Sequence, residues 1–203
     1  MHISEGVLSA PVLLSGGAMA AVGTAIGLKK LDYDRIPQVA VLSAAFFIAS
    51  LVHVPIGPSS AHLVLNGLLG LLLGWVAFPA ILIGLLLQAA LFQYGGLTSL
   101  GVNTVVMALP AVICFLMFRT GVKSKNELLS LVFAFLCGSG AILLSSLMVA
   151  LSLALTEESF LSVGKVIVLA HLPVMAIEGL ITTVCFRFLK KVKPEILEVI
   201  YAR

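Results

Sequence analysis

The sequence predicts an all-α integral membrane protein, one domain over residues 1–203, with about seven transmembrane helices, its N-terminus outside and its C-terminus cytoplasmic. Three observations carry this. The chain is 61% hydrophobic and only 10% charged, whereas a soluble domain carries roughly 25% charged residues. Its apolar runs are long enough to span a bilayer, which takes about 20 helical residues. Its basic residues gather on alternate loops, as they do on the cytoplasmic side of membrane proteins.

The first span is read over roughly 7–28. It lacks a basic leader and its apolar run is too long for a signal-peptide core, so it is not expected to be cleaved. Charged or Gly/Pro punctuation places the others at roughly 36–54, 62–74, 77–93, 101–119, 127–155 and 163–189. The third is too short: 13 helical residues rise about 20 Å against a hydrocarbon core of about 30 Å. It follows Pro55-Ile56-Gly57-Pro58-Ser59-Ser60, which is not helical. Irregular backbone at membrane depth survives only where it is buried in protein or lines a cavity, and half-length helices after such loops often carry ion sites. Trp75 and Pro79 separate spans three and four, so 62–93 is expected to form a helical hairpin. Seven spans starting outside put eleven of the twelve Lys and Arg residues on the cytoplasmic side, with only Lys165 elsewhere. Met1-His2 and the loops 55–61 and 94–100 then share the outer face. Small residues recur along the first two spans (Gly16, Ala20, Gly23 and Gly27, then Ala40, Ala44, Ala45 and Ala49) and let another helix approach closely, in this chain or in a partner. Cys114, Cys137 and Cys185 lie far apart in apolar runs and read as buried hydrophobes, with no zinc-site spacing. No basic nucleic-acid patch is visible.

Four histidines occur: His2, His53, His62 and His171. Met1-His2 puts an amine, an amide nitrogen and an imidazole on one short arm, a tetragonal set that suits nickel, copper or cobalt. Methionine aminopeptidase acts before small second residues, so His2 is expected to preserve Met1. His62, at the start of the short span on the same side, supplies a fourth nitrogen and closes a square-planar site. Because the His2 amide must lose its proton, affinity should fall as pH drops. Candidates to accept the other imidazole nitrogens, or to gate the site, are Ser59, Ser60, Asn66 and Asn103. Glu5 reads as a solvated surface carboxylate, or as a group that balances metal charge or caps the first helix. His171 and Glu178, two turns apart on one helix face, read as a polar pair tying the last span to its neighbours, or else as a proton relay or second ion site.

These residues resemble a known pattern. Met1-His2-Ile3-x-Glu5-Gly6, Gly57-Pro58-Ser59-Ser60-Ala61-His62, Gln88-Ala89, Gly95-Gly96-Leu97-Thr98, Asn103, and His171-Leu172-Pro173 with Glu178-Gly179 resemble, in order, the CbiM/NikM family. These are the substrate-binding S components of energy-coupling-factor (ECF) cobalt and nickel transporters. The resemblance implies a six-helix core plus an extra N-terminal helix, and metal ligands at Met1, His2 and His62. It implies cobalt(II) or nickel(II) as the transported substrate and residence in a prokaryotic cytoplasmic membrane. The implied partners are a membrane T component, two ATP-binding-cassette ATPases and a small accessory membrane protein. The chain has no GxxxxGK[ST] loop and is expected to bind no nucleotide itself. It departs from the pattern at Ser4, where the family often has Met. Leu65-Asn66 replaces expected glycines, and Gln93-Tyr94 stands in place of a Gly-Asp pair.

Two other function classes compete. An intramembrane enzyme would need a Gly-x-Ser-x-Gly elbow or a His-Glu-x-x-His helix, and neither is present. A stand-alone secondary divalent-metal transporter or channel would need a coupling-ion site near mid-bilayer, for which His171/Glu178 is the one candidate.

Overall fold

The structure, a computed structural model, describes the backbone of residues 1–51, 53–56 and 59–201 and the side chains of residues 1–51 and 62–197. Helix α1 (Ala10–Lys29) leads through a 3-10 turn to α2 (Ile36–Ala49). A short antiparallel hairpin, β1 (His53–Ile56) and β2 (Ser59–His62), follows with His53 opposite His62. Then come α3 (Asn66–Leu73), α4 (Ala77–Phe92), α5 (Leu100–Val122), α6 (Glu127–Ala154), α7 (Leu161–Val192) and α8 (Pro194–Tyr201).

Among the described residues, five stretches are long and apolar enough to cross a membrane: α1, the α3–α4 stretch, α5, α6 and α7. The helices alternate in direction, so the chain has two ends. At one lie His2, His62 and Gln88. At the other, Lys30 sits over Trp75, Arg35 donates to the Leu72 carbonyl, and Arg187 pairs with Glu127.

Three boundaries differ from the sequence reading, each for a local reason. Helix α1 starts at Ala10 and not at residue 7, because Pro11 in its first turn is pre-set for helix entry. Residues 1–9 are thereby left as an arm. Helix α2 stops at Ala49 and not at 54: Val54 precedes Pro55, which disfavours the helical region there. Helix α3 begins at Asn66 and not at 62, because Leu65 adopts a left-handed conformation (φ 56°). The expected hairpin stands. Asn66 bonds Met107 and Gly70 packs on Ala111, so α3 runs parallel to α5. Gly74, with φ 56° and ψ −126°, ends α3 and turns the chain into α4.

Close approaches explain the small residues. A Cβ at Gly16, Gly23 or Gly27 would stand under 2.6 Å from Val102, Phe78 or Pro79 respectively. The glycine stripe of α1 is therefore occupied within this chain and does not await a partner, whereas Ala40 and Ala44 on α2 remain exposed. Cys114 and Cys137 are buried and unbridged, as their apolar settings predict, whereas Cys185, also unbridged, is only partly buried.

Candidate metal site

The arm folds inward against α4 and α5. Met1 and Ile3 are fully buried, and His2 and His62 are 6% and 4% exposed. A two-sided clamp holds it: the Ile3 amide donates to Asn103 Oδ1 at 2.9 Å, and Asn103 Nδ2 donates back to the Ile3 carbonyl at 3.1 Å. Asn103 also donates to Ser99 Oγ. Glu5 does not cap α1, whose N-cap is Ser9. Its carboxylate instead accepts the Thr98 amide at 3.1 Å and ties the arm to the 94–100 loop. Gly95 and Gly96 leave room for this, since a Cβ there would stand 2.8 Å from Asn103 and 2.7 Å from Glu5.

The two imidazoles stack with centroids 4.6 Å apart, with Tyr94 tilted beside His2 at 6.3 Å. Their tautomers follow from their partners. Gln88 Nε2 donates to Ser50 Oγ and to the Phe47 carbonyl, which fixes the amide so that Oε1 faces His2. An amide oxygen only accepts, so His2 donates its Nε2–H, at 2.6 Å, and Nδ1 carries the lone pair. His62 donates Nδ1–H to the Leu63 carbonyl at 2.7 Å, which leaves the lone pair on Nε2. That nitrogen is buried and has no hydrogen-bond partner.

Burial lowers the pKa of the Met1 amine well below 8.0. His62 is also held well below its ordinary value, first by burial and then by the nearby N-terminal charge and His2. Both nitrogens thus offer lone pairs at neutral pH. Among the described residues no three His, Cys, Asp or Glu side chains gather as a metal cluster. The Met1 amine and the His2 ring lie near enough to His62 to act on its charge.

The remaining candidates are placed elsewhere. Asn66 is not the acceptor for His62; its amide donates to the Met107 carbonyl and Ser145 Oγ at the start of α3. Glu178 and His171 do not pair. Glu178 accepts the backbone amides of Val64 (2.5 Å) and Leu65 (2.9 Å), so it ties α7 to the turn after β2. His171 donates Nδ1–H to the Ile167 carbonyl, and its buried Nε2 has no partner. The side chains of Ser59 and Ser60, and of His53, lie outside the described residues. Sequence reasoning missed Gln88 as a site residue. Its signal was available: one fully buried amide in an otherwise apolar helix.

Comparison with known proteins places the chain in a family. Residues 2–196 match the family model CbiM, "Cobalt uptake substrate-specific transmembrane region". A "Putative metal transport protein" of Haemophilus influenzae is 42% identical over 202 residues, covering 97% of each chain. A "Fused nickel transport protein NikMN" of Rhodobacter capsulatus is 37% identical over 114 residues, 53% of this chain and 33% of that one. A crystal structure of a transition metal transporter superposes with a TM-score of 0.78 at 27% identity, covering 100% of this chain and 99% of the other. The chain belongs to the CbiM family, the membrane component of cobalt and nickel transport.

Proposed function

We propose that this chain is the substrate-capturing S component of an ECF-type importer, binding divalent cobalt or nickel at the outer face of a prokaryotic cytoplasmic membrane. The ligands are the Met1 amine, the deprotonated His2 amide nitrogen, His2 Nδ1 and His62 Nε2. The first two close a five-membered chelate ring and the second and third a six-membered one, which favours a planar four-nitrogen field. The observation that carries the reading is the pair of tautomers. Gln88 makes Nδ1 the lone-pair nitrogen of His2, the one within chelating reach of its own amide. Leu63 does the same for Nε2 of His62, which is buried and unpartnered.

The arm wraps the ion and strips its waters, the 55–61 and 94–100 loops close above it, and Asn103 and Glu5 hold the arm in register. The basic residues at the opposite end support an N-out, C-in topology. A membrane T component, two ATP-binding-cassette ATPases and a small accessory membrane protein complete the importer. The ATPases hydrolyse ATP and drive the reorientation that exposes the ion inward.

The test is calorimetric titration of cobalt and nickel into the purified chain with its native N-terminus, beside a copy extended by one residue before Met1. The expected result is loss of binding on extension and a yellow square-planar nickel band in the native form alone. Equal binding by both forms rules out the N-terminal ligand set and makes His171 and Glu178 the next residues to test.

A further inference from the structure

At the end of the bundle remote from His2, a cavity of about 350 Å³ opens between the end of α1, the start of α2, the α3–α4 turn and the last turns of α5. Among the described residues, four cations line it (Lys29, Lys30, Arg35 and Arg119) and no carboxylate does. Three of them are positioned by the fold. Lys30 sits over the Trp75 ring at 5.7 Å, and Arg119 over Phe115 at 5.9 Å. Arg35 donates to the Leu72 carbonyl at 3.0 Å, on the last turn of α3. Among the described residues, Lys29, Lys30 and Arg119 have no ion-pair partner. Arg119 is only partly exposed. A cavity whose described lining carries four cations and no carboxylate is complementary to an anion.

The geometry points to a binding site for the phosphate headgroup of an anionic phospholipid. Phosphate suits the donors, since guanidinium engages it through two parallel N–H groups and ammonium as a point charge. A lipid, rather than free phosphate, suits the walls. The cavity continues into Leu116, which is 44% exposed, beside Leu28, 54% exposed at the end of α1. A headgroup among the cations therefore places its acyl chains along side chains that already face the hydrocarbon. Trp75 marks the same depth, because indoles concentrate at the headgroup level. The site is separate from the metal site and does not depend on the metal reading. It places a lipid where α1, α2, α3 and α5 meet, against the Gly74 turn on which the half-length helix α3 ends.

The experiment is native mass spectrometry of the full chain in neutral detergent with phosphatidylglycerol, with phosphatidylcholine of the same acyl chains, or with inorganic phosphate. The expected result is retention of phosphatidylglycerol over phosphatidylcholine by about tenfold. That preference disappears in Lys30→Gln/Arg119→Gln and persists in Arg119→Lys. Lys190→Gln/Lys191→Gln, at the same end but outside the cavity, leaves it intact. Lys30→Gln alone, at an exposed position, keeps the test valid if the double variant fails to fold; it should weaken the preference measurably. Equal retention of the two lipids overturns the proposal, as does a preference indifferent to Lys30 and Arg119. Displacement of the lipid by inorganic phosphate at equal concentration assigns the cavity to a free anion instead. Unchanged lipid retention with lost assembly onto the transport partners assigns it to a protein contact.

Discussion

Gln88 and His2 are joined by a 2.6 Å hydrogen bond across 86 residues of sequence, and the direction of that bond decides which imidazole nitrogen His2 presents. Replacing Gln88 by Leu keeps the helix but removes the acceptor. The His2 ring then loses its fixed tautomer and orientation. Outer-sphere partners of metal-binding histidines are worth about 10- to 100-fold in affinity, and a loss of that size is expected for cobalt and nickel in a titration. Unchanged affinity would mean that the arm orders His2 without Gln88.

Asn103 should matter through the backbone. Asn103→Ala removes both hydrogen bonds to Ile3 and leaves a buried amide and carbonyl unsatisfied, at about 1–3 kcal/mol. Undocking of the arm relieves that cost, so the variant should keep most of its thermal stability yet bind metal more weakly. Hydrogen exchange at Ile3, slow in the native chain and fast in the variant, checks this.

The pH dependence separates a preformed site from a floppy one. Burial holds the Met1 amine and His62 well below their ordinary values, so both are already neutral at pH 7 and release no proton on binding. Only the His2 amide then gives one up, and log K should rise with pH at a slope of about one between pH 7 and 8. A free peptide beginning Met-His carries a protonated amine below about pH 8 and should show a slope near two at pH 7. Calorimetry in buffers of different ionisation enthalpy counts the protons directly. Two protons released by the protein would show that its amine is not held neutral.

Among the described residues, two non-glycine positions adopt positive φ, Leu65 at 56° and Gln93 at 58°. Both lie at positions where the sequence resemblance predicts glycine. At Gln93, which is exposed and ends α4, a left-handed side chain costs about 1 kcal/mol or more. Gln93→Gly should therefore raise the melting temperature and Gln93→Val lower it, with little effect on metal affinity. Leu65 is different: its conformation turns the amides of residues 64 and 65 onto Glu178.

That contact gives the last prediction. Glu178→Leu orphans two buried amides and should cost more than about 2 kcal/mol of stability. Glu178→Gln retains an acceptor and should cost less. Thermal unfolding in detergent ranks the two, and the reverse order would discard the anchoring role.

How much of this was legible in the sequence depends on whether a feature is local. Helices α5 and α6 lie within a few residues of their predicted spans, because Ser99, Asn126 and the charged loops punctuate uninterrupted apolar runs. The half-length α3 was legible from its length alone. The ligand candidates Met1, His2 and His62 could be grouped because arm chemistry and topology put them at one end. The hydrogen bonds could not be read. That Gln88, and not Asn66, orients a histidine depends on α2 and α4 running parallel and bringing Ser50 and Phe47 to the amide. That Glu178 faces Leu65 and not His171 depends on a left-handed residue no propensity foretells. Pro11 shows a local signal outweighed by a broader one: Val7 and Leu8 extend the apolar run, but the proline sets where the helix starts.

The arm has one more consequence, for the order in which the molecule is built. Ile3 is secured by a residue one hundred positions later, and His2 by one eighty-six positions later. When the ribosome releases the first residues, the walls they will dock against do not exist. The opening of the chain must wait, tethered by α1, until α4 and α5 are threaded into the bilayer. Residues 1–9, made well before α4 and α5, are thus among the last to find their place.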